Sequence, residues 1–379
     1  MIQSAYIHIP FCEHICHYCD FNKVFLQGQP VDQYLTMMKK EMQLSLGKYP
    51  QQELKTIFVG GGTPTSLNEQ QLEFLCQSIS DTLPFGESTE YTFEANPGDL
   101  SEEKLSILYN AGVNRLSFGV QSFNDELLKR IGRTHRAADV YETIEKAQKI
   151  GFTNISIDLI YGLPGQTMAD FTDTLDKALE LDLPHFSGYS LIVEPKTVFY
   201  NLMQKGKLQL PPQELEASMY ETLMERMESG GWHQYEISNF AKPGFESRHN
   251  LTYWNNEEYF GFGAGAHGYV SERRVANHGP LKKYMTPLME GELPLLEDHL
   301  VPKAEKMEEE MFLGLRKTDG VSFSGFKKKF SVEMNEIFAK ALEEQLKNEL
   351  IEMTNGSVRL TKRGRLLGNE VFQSFLGII

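Results

Sequence analysis

Three of the four cysteines fall within eight residues, as Cys12, Cys16 and Cys19 of CEHICHYC. Thiolates spaced C-x3-C-x2-C on one short loop can converge on metal from a single side without help from long-range folding. Two kinds of centre suit them. One is an iron–sulfur cube held at three corners, which leaves one iron open to a chelating ligand. The other is a Cys3His zinc site completed by His14 or His17, although structural zinc usually takes its ligands as two separated pairs. The fourth cysteine differs in character: Cys76 sits in LEFLCQSI on an apolar helical face and reads as a core thiol.

Other polar residues stand where a ligand of such a centre would lie. GGGTPT (60–65) directly follows a strand-like run, and Gly61, Gly62 and Thr63 there would let backbone approach a bound molecule closely. The alternative for the glycines is a plain tight turn. Glu94 ends the third strand-like run, Gln121 the fourth, and Asp158 lies in the fifth. Carboxylates and amides there can orient hydroxyl and amino groups. Arg133 could meet a carboxylate as a rigid fork, and Tyr18, beside the third thiol, offers a flat ring. Each charged residue alone is also compatible with a solvated loop; together, on successive strand ends, they point to one mouth. Further along, HNLTYW brings His249 beside Tyr253 and Trp254, and GAGAHGY contains His267. On its own the first string suits a buried, hydrogen-bonded imidazole as well as a metal ligand. His8 is expected to pack near the cysteine loop.

The elements that must hold these residues alternate. Strand-like runs occur at 5–11, 56–61, 91–97, 115–121, 154–162 and 185–194. Amphipathic helical patterns lie between them, at 33–46, 68–83, 101–112 and 167–181, with apolar residues three and four apart. Gly112, Gly151 and Gly162 mark element ends. Repeats of this kind imply a parallel α/β sheet with its ligands at the carboxyl ends of the strands. Six units are too few for a closed eightfold barrel, so the expected fold is α/β, a partial (β/α)6 barrel. A helix at 213–231 closes a first domain, 1–232. An aromatic connecting region follows at 233–300, and a small, mainly α C-terminal domain, with a winged-helix shape as one form open to it, at 301–379.

Composition narrows the classes. The chain has 379 residues, 41% of them hydrophobic, and a formal net charge of −15, which argues against nonspecific nucleic-acid binding. The excess acid lies in residues 1–300, with 24 Lys and Arg against 40 Asp and Glu; residues 301–379 have 13 against 12. The basic stretch TKRGR (361–365) in that near-neutral region reads as a solvated face. No apolar run approaches the roughly 18 residues of a membrane span, and the N-terminal segment lacks the pattern of an export signal. Clustered thiols in such a chain point to metal in a reducing cytosol.

C-x3-C-x2-C after a first strand resembles the radical S-adenosylmethionine (SAM) superfamily. YIHIPFC, FVGGGTPT (58–65), FEANPG (93–98), RLSFGVQSF and IGRTH are similar to its coproporphyrinogen dehydrogenase-like branch, and the resemblance runs end to end. It implies a [4Fe–4S] cluster on Cys12, Cys16 and Cys19, with SAM chelating the open iron and splitting to a 5′-deoxyadenosyl radical on reduction. It further implies SAM contacts from Tyr6, Gly61, Gly62, Thr63, Glu94, Gln121, Arg133 and Asp158, with Ser190 a weaker match. Within this branch HN-x2-YW resembles the heme-binding motif of the HemW-type heme chaperones, which implies heme at His249, Tyr253 and Trp254, with His267 a second candidate ligand. Two departures separate the chain from the dehydrogenase: Asp20 and Phe21 follow Cys19 where the dehydrogenase has a fourth cysteine, and Cys12 comes too early for its N-terminal extension. The favoured expectation is a heme carrier that hands heme to an acceptor protein. The alternatives are the decarboxylating dehydrogenase itself and a radical SAM enzyme with an unrelated substrate.

Overall fold

The computed structural model describes residues 2–49 and 52–379. Six parallel strands form its centre: β1 (Ser4–Ile9), β2 (Thr56–Gly61), β3 (Glu90–Ala95), β4 (Arg115–Gln121), β5 (Asn154–Tyr161) and β6 (His185–Ser190). They are paired in chain order. Helices α1 (Val31–Lys48), α2 (Glu69–Thr82), α3 (Glu102–Asn110), α4 (Ala137–Ile150) and α5 (Met168–Glu180) fill the crossovers. Side chains of a strand alternate between its faces, and here the two faces have opposite chemistry. Ile7, Ile57, Phe93, Leu116, Ile157 and Phe186 share one apolar core with Met38, Leu75, Leu105 and Leu175 of the helices. The alternate positions, Tyr6, Thr92, Ser117, Ser156, Asp158 and His185, are polar and fill the inside of the curved sheet.

Helix boundaries follow local chemistry. Asn68 and Gln71 form a reciprocal capping box at the start of α2, and Thr167 and Asp170 do the same for α5. Strand ends fall short of the sequence expectation at three places. Pro10 has no N–H to donate, so β1 stops at Ile9; Pro97 follows β3 closely, which ends at Ala95. β6 ends at Ser190, and residues 191–194 run on as non-strand backbone.

Residues 233–300 do more than connect. Phe260–Phe262 adds a parallel strand beside β1, and the hairpin His233–Glu236 with Asn239–Ala241 adds two antiparallel strands beyond β6, making nine in all. The helix Arg248–Trp254 runs between those two edges. Its first N–H groups, of Arg248 and His249, donate to Glu90 at 2.9 Å each, and Thr252 meets Ser4 at 2.9 Å. It thereby floors the inside of the sheet, opposite the carboxyl ends of the strands.

Residues 307–375 enclose a second core, with Met311, Leu315, Phe326, Phe338, Val358 and Phe372 at its centre. Helices and a three-stranded sheet, Val321–Ser322, Ser357–Leu360 and Ile351–Met353, build it. TKRGR faces the barrel: Lys362 pairs with Glu225 at 2.9 Å and Arg365 donates to Gln234 at 2.6 Å. Among the described residues no helix is long and apolar enough to cross a membrane.

One buried carboxyl ties α1 to the 260–285 stretch. Glu41 accepts from the Gly263 N–H (2.8 Å), Asn277 (2.6 Å) and the Tyr284 hydroxyl (2.5 Å). Burial pushes it up to about 7, against the pull of those three donors. A carboxyl whose pKa is higher folded than unfolded stabilises the fold through its protonated form. That contribution is complete below the unfolded value and is lost as pH rises through about 7. The melting temperature is therefore expected to decline between about pH 5 and pH 8, and to decline less steeply in Glu41→Gln, which starts lower for want of an acceptor. Thermal scans across that range check it; equal slopes would count against the assignment.

Candidate functional site

At the carboxyl ends of the strands lies a cavity of about 380 Å³ that takes its walls from every barrel strand except β1. Cys12, Cys16 and Cys19 all reach it, and no cysteine is in a disulfide. Their loop is held by main chain from several places. Val24 donates to Pro10 (2.8 Å) and Leu26 to Cys12 (2.9 Å), while His17 donates to Ile131 (3.0 Å) and accepts from Phe199 (3.0 Å). The Asn22 side chain donates to the carbonyls of Ala264 (2.7 Å) and Gly279 (3.1 Å).

The thiols have polar neighbours of their own. Thr63 donates towards Cys12 at 3.7 Å and Arg133 towards Cys16 at 3.5 Å. Burial pushes Cys12 up to about 11, and Cys19 also upward, with nearby Lys23 opposing both shifts. A bare thiolate is disfavoured there, which suits a centre whose own positive charge stabilises it. Among the described residues no three His, Cys, Asp or Glu side chains are grouped to hold a single ion. Tetrahedral zinc needs four donors about one point, whereas a cube takes each thiolate on a different corner. His17 is turned away from the cavity, bonded to the Arg130 carbonyl at 3.0 Å and tilted against Phe199. His14 lines the cavity with the three thiols, and the thiolates, arriving at one mouth from a single short loop, fit three corners of a cube.

The glycine run has a job at each step. Gly61 takes φ +119° and lies so close to the His8 ring that a Cβ would sit 2.5 Å from it; a Cβ on Gly62 would lie 2.9 Å from the Cys12 sulfur. The Gly61 N–H donates to Glu94 at 3.0 Å. Glu94 is pushed up to about 7 by burial and by Asp158, and Asp158 is also raised by burial. Arg115, buried beneath, counters both charges. At the end of β4 the pairing to β5 slips between Gly119 and Gln121, and Gln121 adopts φ +68°. That bulge aims its amide into the cavity. Arg133 spreads its fork over the Asn96 side chain (2.7 Å) and the Gly119 carbonyl.

Tyr18, Gly61, Gly62, Thr63, Glu94, Gln121, Arg133, Asp158 and Ser190 are all brought to this cavity. Tyr6 is not. Its phenol bonds His8 at 2.8 Å and its ring stacks on Phe58, below the cavity. His8 in turn meets the Asn22 carbonyl at 2.7 Å, beside the cysteine loop as expected. Cys76 is a buried helix thiol pushed up to about 12. Sequence reasoning passed over Asn96, which lines the cavity and bridges Arg133, Thr63 and Asp99. Its signal was its place two residues after Glu94, in FEANPG.

The HNLTYW residues lie elsewhere. His249 is 1% exposed, inside the barrel floor. Its Nδ1 meets Thr56 and its Nε2 meets the Tyr253 hydroxyl, both at 2.8 Å, and its ring stacks on Phe58. Burial holds it down to about 3, so it is neutral. Both ring nitrogens thus have hydrogen-bond partners. The helix carrying His249 closes the barrel floor, and its inward face packs against the strands. Tyr253 and Trp254 reach a separate groove on the outer side. His267 is exposed at the start of its strand and lines neither site.

A three-thiol loop over an open, mainly parallel sheet with a polar mouth defines a radical SAM protein. Residues 6–178 match the Radical SAM superfamily and residues 301–367 the HemN C-terminal domain. The solved structure of coproporphyrinogen III oxidase (HemN) from Escherichia coli, a radical SAM enzyme, superposes with TM-score 0.87 at 25% identity, over 99% of this chain and 90% of that one. The heme chaperone HemW of Bacillus subtilis is 58% identical over 99% of this chain and all of its own length, and that of Lactococcus lactis 46% identical over 99% and 97%. The chain belongs to the HemW family.

The close approach of Gly62 to the Cys12 sulfur makes a prediction. Gly62→Ala should fold, with an unchanged far-ultraviolet spectrum, but retain iron and sulfide roughly tenfold or more poorly after anaerobic reconstitution. Full iron and sulfide content would show that the glycine is only a turn.

Proposed function

We propose that this chain is a heme chaperone: it binds heme and passes it to an acceptor protein, while carrying a [4Fe–4S] cluster on Cys12, Cys16 and Cys19 with SAM beside it. The observation that carries this reading is the 58% identity, across essentially both whole chains, to a protein named as a heme chaperone. The fold alone cannot choose, because the coproporphyrinogen oxidase has it too. Asp20 and Phe21, where that enzyme's pattern has a further cysteine, favour the carrier.

In this reading the three thiolates hold the cluster, and Thr63 and Arg133 donate to two of them. The cluster would offer its open iron to SAM, and in a carrier both would serve structural or regulatory ends. Glu94 and Asp158 face the cavity as acceptors for hydroxyl and amino groups, and Gln121 presents an amide. Tyr18 closes the wall beside Cys16 and Cys19. Arg115 opposes the upward shift of both carboxyls from below, and a cationic ligand beside them would further favour their charged forms. A chain with a net charge of −15 has little electrostatic hold on anionic lipid, so delivery to a membrane-bound acceptor would run through protein contact.

The test uses reconstituted protein under anaerobic conditions, divided in two. One part is titrated with ferric heme and then offered to an apo-heme protein. The other receives SAM, a strong reductant and coproporphyrinogen III. Stoichiometric heme uptake with transfer, and no decarboxylation, is expected. Sustained decarboxylation, or no heme uptake, would overturn the carrier reading.

A further inference from the structure

Strand β3 ends at Ala95, and the next four residues, Asn96, Pro97, Gly98 and Asp99, make a tight turn. Proline in second place and a glycine at φ +87° in third are what a type II turn requires. The Asp99 N–H closes it on the Asn96 carbonyl at 3.3 Å, and the Gly98 N–H donates to Thr143 at 3.0 Å. Asn96 thus stands at a rigid corner, on the wall of the cavity that the three thiols reach.

Its amide fits in one orientation. Arg133 carries donors and no acceptor, so the atom that meets its guanidinium at 2.7 Å is the Asn96 oxygen. The amide nitrogen is thereby turned to the Thr63 hydroxyl at 3.2 Å and the Asp99 carboxyl at 3.0 Å. A hydroxyl that accepts from an amide keeps its own proton for another partner. That of Thr63 is directed at the Cys12 sulfur, 3.7 Å away. On the other branch, one arm of the Arg133 fork is committed to Asn96 and the Gly119 carbonyl, and the second is aimed at the Cys16 sulfur at 3.5 Å. Two of the three thiols therefore receive donors, and one amide holds both donors. Behind the amide lies a polar cavity of about 20 Å³, which Asn96 also borders. That is room for roughly one water.

We propose that Asn96 is a positioning residue for the iron–sulfur centre, raising its reduction potential through Thr63 and Arg133. Donors to the ligand sulfurs favour the more negative, reduced state. A guanidinium held close by acts in the same direction. Without the amide, the Thr63 hydroxyl is released from its orientation and the Arg133 fork loses an acceptor. The inference rests on the reading of Cys12, Cys16 and Cys19 as cluster ligands, and adds what fixes the hydrogen bonds around them.

The experiment reconstitutes the full-length chain and its variants anaerobically. The centre is then titrated potentiometrically without SAM, followed by electron paramagnetic resonance, so that no contact with SAM enters the result. Asn96→Leu fills the same space but neither donates nor accepts. At a fixed potential near the original midpoint, its ratio of reduced to oxidised centre should fall about tenfold, a shift of about 59 mV for one electron. Thr63→Val removes the Cys12 donor alone and should shift less. In the double variant the Asn96 change should add less than it does by itself, because one of its two routes is already gone. Asn96→Asp still accepts from Arg133 but draws the Thr63 proton away from Cys12. It should also lower the potential, and it takes the place of Asn96→Leu if circular dichroism shows that variant misfolded. An unchanged potential in the folded Asn96 variant, or shifts that add in full with Thr63→Val, would overturn the proposal. An unsubstituted chain that takes up no iron and sulfide would instead remove the cluster reading beneath it.

Discussion

The cysteine loop has almost no regular structure of its own, so its shape is imposed from outside. One short parallel pairing, Phe11–Cys12 with Val24–Phe25, pins its two ends together. Thr63 and His8 hold it from nearby, and further restraints come from chain more than a hundred residues away: Ile131, Arg133, Phe199, Ala264 and Gly279. Three thiolates must face one point at the same time, and only the finished barrel supplies every restraint. The cluster motif is local in sequence, but its geometry is a property of the whole fold.

The barrel can do this because its inside is polar. A parallel sheet covered on both faces is normally apolar on both. Here the strands put Ser117, Ser156, Asp158, His185 and Ser187 inward and their hydrophobic partners under the helices. Burying so much polarity requires that it be paired, and most of it is: His185 bonds Ser156 (2.7 Å) and Tyr235 (2.8 Å), while Glu90 caps the floor helix. The side-chain atoms inside the sheet that lack a partner include Thr92 Oγ1 and Arg115 Nε, below the cavity that Glu94 and Asp158 line. A chain of ring contacts, Tyr6 to Phe58 to His249 to Tyr253 to Tyr259, runs through the floor between the cavity side and the outer groove.

The six central strands were legible because strand–helix alternation is a local signal, and so were the residues at their ends. The three grouped cysteines gave the clearest signal, since their spacing lies within one loop. What the sequence hid was long-range. Residues 233–300 look irregular because Phe260–Phe262 is only three residues long and becomes a strand by pairing with β1, some 250 positions earlier. The Gln121 bulge depends on register against β5, which no pattern in RLSFGVQ reveals. HNLTYW shows the same limit: that its histidine faces inward is decided by Glu90, Thr56 and Phe58, on strands distant in sequence.

The account stands on an iron–sulfur cube with one corner left for SAM. Its most direct test is the electron paramagnetic resonance spectrum of the dithionite-reduced, anaerobically reconstituted protein before and after SAM is added. A reduced-cluster signal from about four irons per chain, reshaped by SAM, is the predicted result. A signal that SAM leaves untouched, or protein that takes up zinc and no sulfide, would contradict it.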